Sequence, residues 1–265
     1  MLHNLISYLR RLKSGTEELN YGREIVSRWA ELHLRNTNAP GLILDIGVGR
    51  GDDLLTIKRT CSMPLELHGI ECYPPNVKHA EQQGIAVNSL DIERERFPYA
   101  DASFDLIVAN QIIEHTKEIF FIFAEISRVL KAGGLAIIGV PNLASLHNRI
   151  ALLLGLQPPA IQVLGPHVRG FTRNAFREFL VAGDFFALEE FAGSNFYPFP
   201  PPMSQWMAKL FPGLAVSSFY KLRRTDRSGT FVEVLDQHFF ETPYYRGPGI
   251  ESDRADRRDS MKPPI

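Results

Sequence analysis

Cysteine is scarce in this chain. Two thiols in 265 residues, Cys61 and Cys72, leave no disulfide framework and point to a reducing, cytoplasmic setting. Long apolar runs are missing as well, since no stretch approaches the ~20 residues of a spanning helix. The N-terminal segment scatters Arg10, Arg11 and Lys13 among its apolar positions and lacks the unbroken core of a secretion signal. Neither sign of charge dominates. Lys and Arg total 29 against 30 Asp and Glu, a formal net charge of −1, so nothing pulls the whole molecule toward nucleic acid, and none is expected as a partner. No internal repeat is visible. What remains is an ordinary globular composition, 45% apolar and 22% charged, long enough for one α/β domain with extensions.

Hydrophobic patterning alternates short β-branched runs with amphipathic stretches, the mark of a parallel sheet with helices on both faces. A helix is expected over 17–34, with Tyr21, Ile25, Trp29 and Leu32 on one face. Further helices are expected near 52–60, 75–83, 116–131, 150–156, 173–182 and 203–211. Strands are expected at the run ending in Ile46, at 67–71, 85–91, 134–140 and near 185–192. A last strand is expected at 230–235. The implied organisation is a helical extension over 1–36, a main domain over 37–245 with a lid-like insertion at about 195–225, and a disordered tail over 246–265, which is rich in Arg, Asp, Gly and Pro.

The most informative stretch is Ile43-Leu44-Asp45-Ile46-Gly47-Val48-Gly49-Arg50-Gly51-Asp52-Asp53. It reads as a buried strand running into a glycine turn that opens a helix, where a cofactor can approach the backbone because glycine has no Cβ. A dinucleotide site wants Gly-x-Gly-x-x-Gly with pyrophosphate on the helix N-terminus. Here the spacing is Gly-x-Gly-x-Gly, and Asp52 stands where the third glycine would fall. Two carboxylates at the helix mouth disfavour pyrophosphate. They suit S-adenosylmethionine (SAM), which carries an ammonium and a sulfonium but no phosphate.

This strand and turn resemble motif I of the class I SAM-dependent methyltransferases, and four later stretches keep the family's order. Leu67-His68-Gly69-Ile70-Glu71 resembles its second strand with a terminal acid, and 85–91 its third, ending at Asp91. The stretch 97–108 resembles the approach to its fourth strand, and Leu130-Lys131-Ala132-Gly133-Gly134 the glycine turn into its fifth. The resemblance implies a Rossmann-like fold with a seven-stranded, mostly parallel sheet and an antiparallel last strand. It implies SAM as cofactor, with Asp45, Gly47, Gly49 and Gly51 on its methionine side, Glu71 on its ribose and Asp91 on its adenine edge. Asn110 and Gln111 would line the passage to the methyl group.

Ligands of open α/β sheets bind outside the carboxyl ends of the strands. The segment Asn110-Gln111-Ile112-Ile113-Glu114-His115 should therefore face the methyl acceptor, joined by the loop that carries His167. An oxygen nucleophile gains from a general base, and His115 and His167 are the candidates. The same region is similar to the ubiquinone-pathway O-methyltransferases and the small-RNA 2′-O-methyltransferases, whose Glu-x-x-Glu-His and later histidine ligate a divalent metal. Glu114, His115 and His167 match that set, but Gln111 replaces its first glutamate, and no metal site is assigned. A looser similarity links Pro141-Asn142, residues 167–172 and the aromatic-proline segment to bacterial glycan and secondary-metabolite methyltransferases.

The resulting expectation is methyl transfer to a small molecule or glycan, at a hydroxyl. The alternatives are a membrane-peripheral, quinone-type O-methyltransferase and a SAM-binding protein that performs no transfer. The region 195–220 holds three consecutive prolines and the aromatics Phe196, Tyr197, Phe199, Trp206, Phe211 and Phe219. It is read as a lid over the acceptor in preference to a membrane contact, because aromatic stripes are usually buried. The apolar positions of residues 2–12 offer a second such face.

Overall fold

The computed structural model describes residues 20–37, 40–237, 240 and 242–248. The expected amphipathic face of residues 2–12, positions 17–19 of the first helix and the tail from 249 on lie outside the described residues. Seven strands form one sheet: β1 (Gly41–Ile46), β2 (Leu65–Ile70), β3 (Ala86–Asn88), β4 (Phe104–Asn110), β5 (Leu130–Pro141), β6 (Phe186–Ser194) and β7 (Ser217–Arg224). Their order is β3-β2-β1-β4-β5-β7-β6. β7 runs antiparallel to β5 and to β6, and the other pairings are parallel. The helices are α1 (Arg23–Leu34), α2 (Asp52–Thr60), α3 (Pro74–Gln82), α4 (Ile119–Val129), α5 (Leu146–Leu153), α6 (Arg173–Leu180) and α7 (Met203–Leu210).

Two apolar layers sandwich the sheet. On one face α1, α2 and α3 pack Trp29, Leu54 and Ala80 against Ile43, Leu67 and Val108. On the other, α4 and α6 bring Phe120, Phe123 and Phe176 against Leu44, Ile107 and Ile138. Neighbouring strand residues Ile43 and Leu44 thus feed opposite layers, as the two-residue period of a strand requires. A central strand buried on both sides reads as a continuous apolar run, and β1, β4 and β5 all do so.

The expected last strand at 230–235 is corrected. That segment is a 3-10 helix, Phe231–Gln237. Its buried residues are Phe231, Val232, Val234 and Leu235, with Glu233 outward, and apolar positions at i, i+1, i+3 and i+4 have a helical period. The antiparallel strand is instead β7, which lies inside the segment assigned to an insertion. Its Phe219 and Tyr220 are both fully buried, one in each apolar layer, so β7 is a central strand. The third strand is also shorter than expected, ending at Asn88 and leaving Asp91 in the following turn. No helix of the described residues is long and apolar enough to cross a membrane.

Candidate active site

The carboxyl ends of β1, β2 and β4 converge on the glycine turn. Gly47, Gly49 and Gly51 all adopt positive φ, at 72°, 55° and 89°. The three have different surroundings. A Cβ on Gly51 would lie 2.4 Å from Ile85 Cδ1, and one on Gly47 would lie 2.8 Å from Ile112 Cγ1. On Gly49 it would meet only the Gly47 carbonyl, at 4.0 Å. Two glycines are therefore needed by packing, while the middle one faces open space that a ligand can use.

Glu71 closes this turn from the side. Its Oε2 accepts the Gly49 amide at 3.0 Å and its Oε1 accepts the Tyr73 amide at 2.9 Å. Asp45 sits at the end of β1 with 3% of its surface exposed. Burial raises its pKa well above the ordinary value, and Asp53 and Glu71 push the same way, against Arg23. A cation placed beside this acid would favour its ionised form.

Arg23 was not legible in the motif. It projects from the first turn of α1 and bridges Asp52 and Asp53, each at 3.1 Å. Asn110 adds a 2.8 Å bond from Nδ2 to Asp53 Oδ2, and the same amide reaches the Tyr21 carbonyl at 3.0 Å. The two carboxylates at the helix mouth are thus engaged, which removes the electrostatic argument that sequence alone raised against pyrophosphate. Tyr21 and Gly22 hold left-handed conformations, φ 42° and 70°, and so turn the chain across the mouth of the site.

Asn110 and Gln111 end β4 beside this turn. Asn110 Oδ1 and Gln111 Nε2 are buried without a hydrogen-bond partner, and Gln111 has a positive φ of 58°. Unmet polar groups and a strained backbone fit a place where a ligand completes the bonding. Asp91 stands apart from this group. Its Oδ1 accepts the Glu93 amide at 2.9 Å, and its backbone carbonyl accepts the amides of Arg94 and Glu95. It builds a turn, whatever its second oxygen does.

The acceptor end holds the second cluster. His115 and His167 meet edge to face with ring centroids 4.7 Å apart. His115 Nδ1 faces the Pro166 carbonyl at 3.3 Å, and His167 Nδ1 faces the Ala160 carbonyl at 2.9 Å. A carbonyl can only accept, so both rings carry hydrogen on Nδ1, which leaves Nε2 as the acceptor atom of a neutral ring. Burial and the nearby His167 lower the pKa of His115. Glu114 is 1% exposed, both its oxygens lack hydrogen-bond partners, and burial raises its pKa to about 8. One ligand atom from each of Glu114, His115 and His167 lies within 4.8 Å of the others. Sequence matching named these three, and the fold brings them together.

Comparisons with known proteins identify the domain that carries this site. Residues 44–138 match the family model described as a methyltransferase domain. Over 104 residues the chain is 29% identical to a ubiquinone biosynthesis O-methyltransferase of Cereibacter sphaeroides, covering 38% of this chain and 41% of that one. Over 100 residues it is 32% identical to a dimethylglycine N-methyltransferase of Parasynechococcus marenigrum, covering 36% and 35%. These matches span about two fifths of the relatives' length. A chain of the Haloferax volcanii complex between the Trm112 activator and a methyltransferase superposes with a TM-score of 0.56 at 14% identity, over 84% of this chain and 96% of that one. The matched residues, the glycine turn and the sheet order together define a methyltransferase domain with a Rossmann-like fold.

Proposed function

We propose that this chain transfers the methyl group of SAM to a hydroxyl of a small molecule or glycan. When bound, SAM supplies a methyl on a positively charged sulfur, already poised to leave. The protein's task is then to hold the acceptor oxygen in line and to take its proton. Asp45 would attract the cationic amino-acid end, the open face at Gly49 would accept the backbone approach, and Glu71 would hold the ribose hydroxyls. Asp91 would reach the adenine edge with its remaining oxygen. Asn110 and Gln111 would offer their unmet polar atoms along the passage to the methyl.

The observation that carries the hydroxyl reading is the pair His115 and His167 at the acceptor end. Each ring gives its Nδ1–H to a carbonyl, which leaves Nε2 as the basic atom of the neutral ring, and burial lowers the pKa of His115 and so favours that neutral form. An amine already in its neutral form would need less help, because its lone pair attacks before any proton is lost. The test is transfer of labelled methyl from SAM to a panel of phenols, glycosides and primary amines. Label on hydroxyl acceptors, reduced about 10²-fold or more by His115→Ala or His167→Ala, supports the reading. Label on amines alone, or none on any acceptor, contradicts it.

A second reading uses the same cluster differently. Glu114, His115 and His167 would hold a divalent metal, with Pro166 and Ala160 fixing the ring tautomers, as carbonyls behind ligating histidines do. Such an ion would lower the pKa of an acceptor hydroxyl. The neutral amide of Gln111 leaves two imidazoles and one carboxylate, a set that suits a transition metal better than Mg²⁺. Equilibrium dialysis against Mn²⁺ and Zn²⁺, with His167→Ala as control, separates the two. Stoichiometric binding lost in the variant favours the metal, and no binding leaves the histidines as bases.

A further inference from the structure

The acceptor end of the sheet is bordered by apolar side chains that no described residue covers. Leu153 on α5 is 86% exposed, and Val163 and Leu164 in the loop that follows are 83% and 101% exposed. Trp206 on α7 is 62% exposed, and Phe211 just after it is 45% exposed. These elements adjoin one another. Leu146 of α5 packs with Met207 and Ala208 of α7 in a small core around Phe196 and Ala215. The His147 and Tyr197 rings meet at 5.4 Å. α7 therefore already has a buried side, formed by Ser204 and Ala208, and its aromatic side points outward. A lid shut over the pocket would bury Trp206.

Charge is sorted in the same way. The chain has 30 acidic residues, yet none falls between Glu125 and Glu178, or between Glu190 and Asp226. Both apolar elements lie in these acid-free stretches, and each carries an exposed cation, Arg149 on α5 and Lys209 on α7. With a formal net charge of −1 overall, the remainder of the molecule is acidic. Apolar elements whose own exposed charges are cationic complement a bilayer with anionic headgroups, and the acidic remainder would turn away from it.

We propose that α5, the loop over 154–165 and α7 form a docking face for the surface of an anionic phospholipid bilayer. The loop also carries Ala160, which anchors His167, so docking would set the acceptor end against the membrane. If the transfer reading holds, acceptors with a lipid-soluble part would then be taken up from the bilayer side. That consequence rests on the proposed function, whereas docking itself is measured without SAM.

The chain provides its own probe. Its two tryptophans are Trp29, fully buried under the sheet, and Trp206, so changes in emission and quenching report on Trp206. The full-length protein would be mixed with vesicles of phosphatidylcholine alone and of phosphatidylcholine with phosphatidylglycerol. Expected are flotation with the anionic vesicles, a blue shift, loss of quenching by iodide, and weakening in high salt. The double change Leu153→Asp and Leu164→Asp, at exposed positions, should lower vesicle partitioning about tenfold or more. Trp206→Phe should remove the optical signal and leave flotation largely in place. No flotation with anionic vesicles, or equal binding to phosphatidylcholine alone, would overturn the proposal. So would Trp206 already shielded from iodide in lipid-free protein of dimeric mass, because a second copy would then cover the face. SAM binding retained in a protein that fails to float refutes the docking face and leaves the transfer reading standing.

Discussion

Glu71, just past the end of β2, accepts the amide of Gly49, in the turn that follows the neighbouring strand β1, at 3.0 Å. The bond ties the acid proposed for the ribose to the one glycine of the turn whose open side faces away from packing. Its carboxylate thus has a second duty, shaping the turn.

Removing that acid should cost both contributions. Glu71→Ala is expected to weaken SAM binding tenfold or more, about 1.4 kcal/mol. Glu71→Gln retains one carbonyl acceptor for the Gly49 amide and should fall between wild type and Ala. Calorimetric titration of the three proteins checks the order. Equal affinities would show that neither role contributes to binding.

The glycines should separate by phenotype. Gly51→Ala places a Cβ 2.4 Å from Ile85 Cδ1 at φ +89°, and Gly84→Ala meets nothing within 4 Å at φ +81°. Backbone strain alone, about 1 kcal/mol or somewhat more, should appear at Gly84, and a larger loss at Gly51. Gly49→Ala has room for its methyl in the free protein, so its stability loss should stay near the strain value while SAM affinity drops. Urea unfolding beside titration distinguishes these outcomes.

Much of this was readable in the sequence, for identifiable reasons. β1, β4 and β5 are buried on both faces, so their apolar runs stand out, and the glycine turn marks where β1 ends. The His115–His167 pairing was anticipated from matched motifs. β7 was missed because Ser217, Ser218, Lys221, Arg223 and Arg224 dilute its apolar signal, although Phe219 and Tyr220 are fully buried. The 3-10 segment Phe231–Gln237 drew the strand reading in its place, since β-branched and aromatic residues dominate it. Arg23 could not be found from sequence at all. It lies 29 and 30 residues from its partners, and only the fold sets α1 across the mouth of α2. Trp206 defied the ordinary burial of aromatics, and only its place on the outer side of α7 explains that.

Asp45, in the role proposed for it beside the cationic end of SAM, should give binding a pH dependence of definite sign. Burial raises its pKa, so the free protein holds a proton there at pH values where an exposed aspartate is ionised. A cation bound beside it favours the ionised form, so binding should release protons. Affinity should therefore rise as pH climbs through the Asp45 titration, up to the range near 8 where an α-amino group begins to lose its charge. Titrations in buffers of different ionisation enthalpy measure the released protons. Asp45→Asn should abolish the release along with much of the affinity. Proton uptake on binding would contradict the assignment.

Breaking the Arg23 bridge should loosen the mouth of the site. Asp53 is 12% exposed in its side chain and keeps bonds from both Arg23 and Asn110. Arg23→Ala leaves that carboxylate with less compensation, a loss of roughly 1–3 kcal/mol for a largely buried charged hydrogen bond. Thermal unfolding with and without SAM checks this. A stability unchanged from wild type would mean that the bridge is an ornament of the surface.

The central claim is that the glycine turn, with Asp45 and Glu71, binds SAM. The most direct test is calorimetric titration of the folded wild-type chain with SAM, and then with NAD and NADP. Saturable one-to-one binding of SAM in the micromolar range is expected, with neither dinucleotide competing. Absence of SAM binding by a protein shown to be folded, or preferential binding of a dinucleotide, would contradict it.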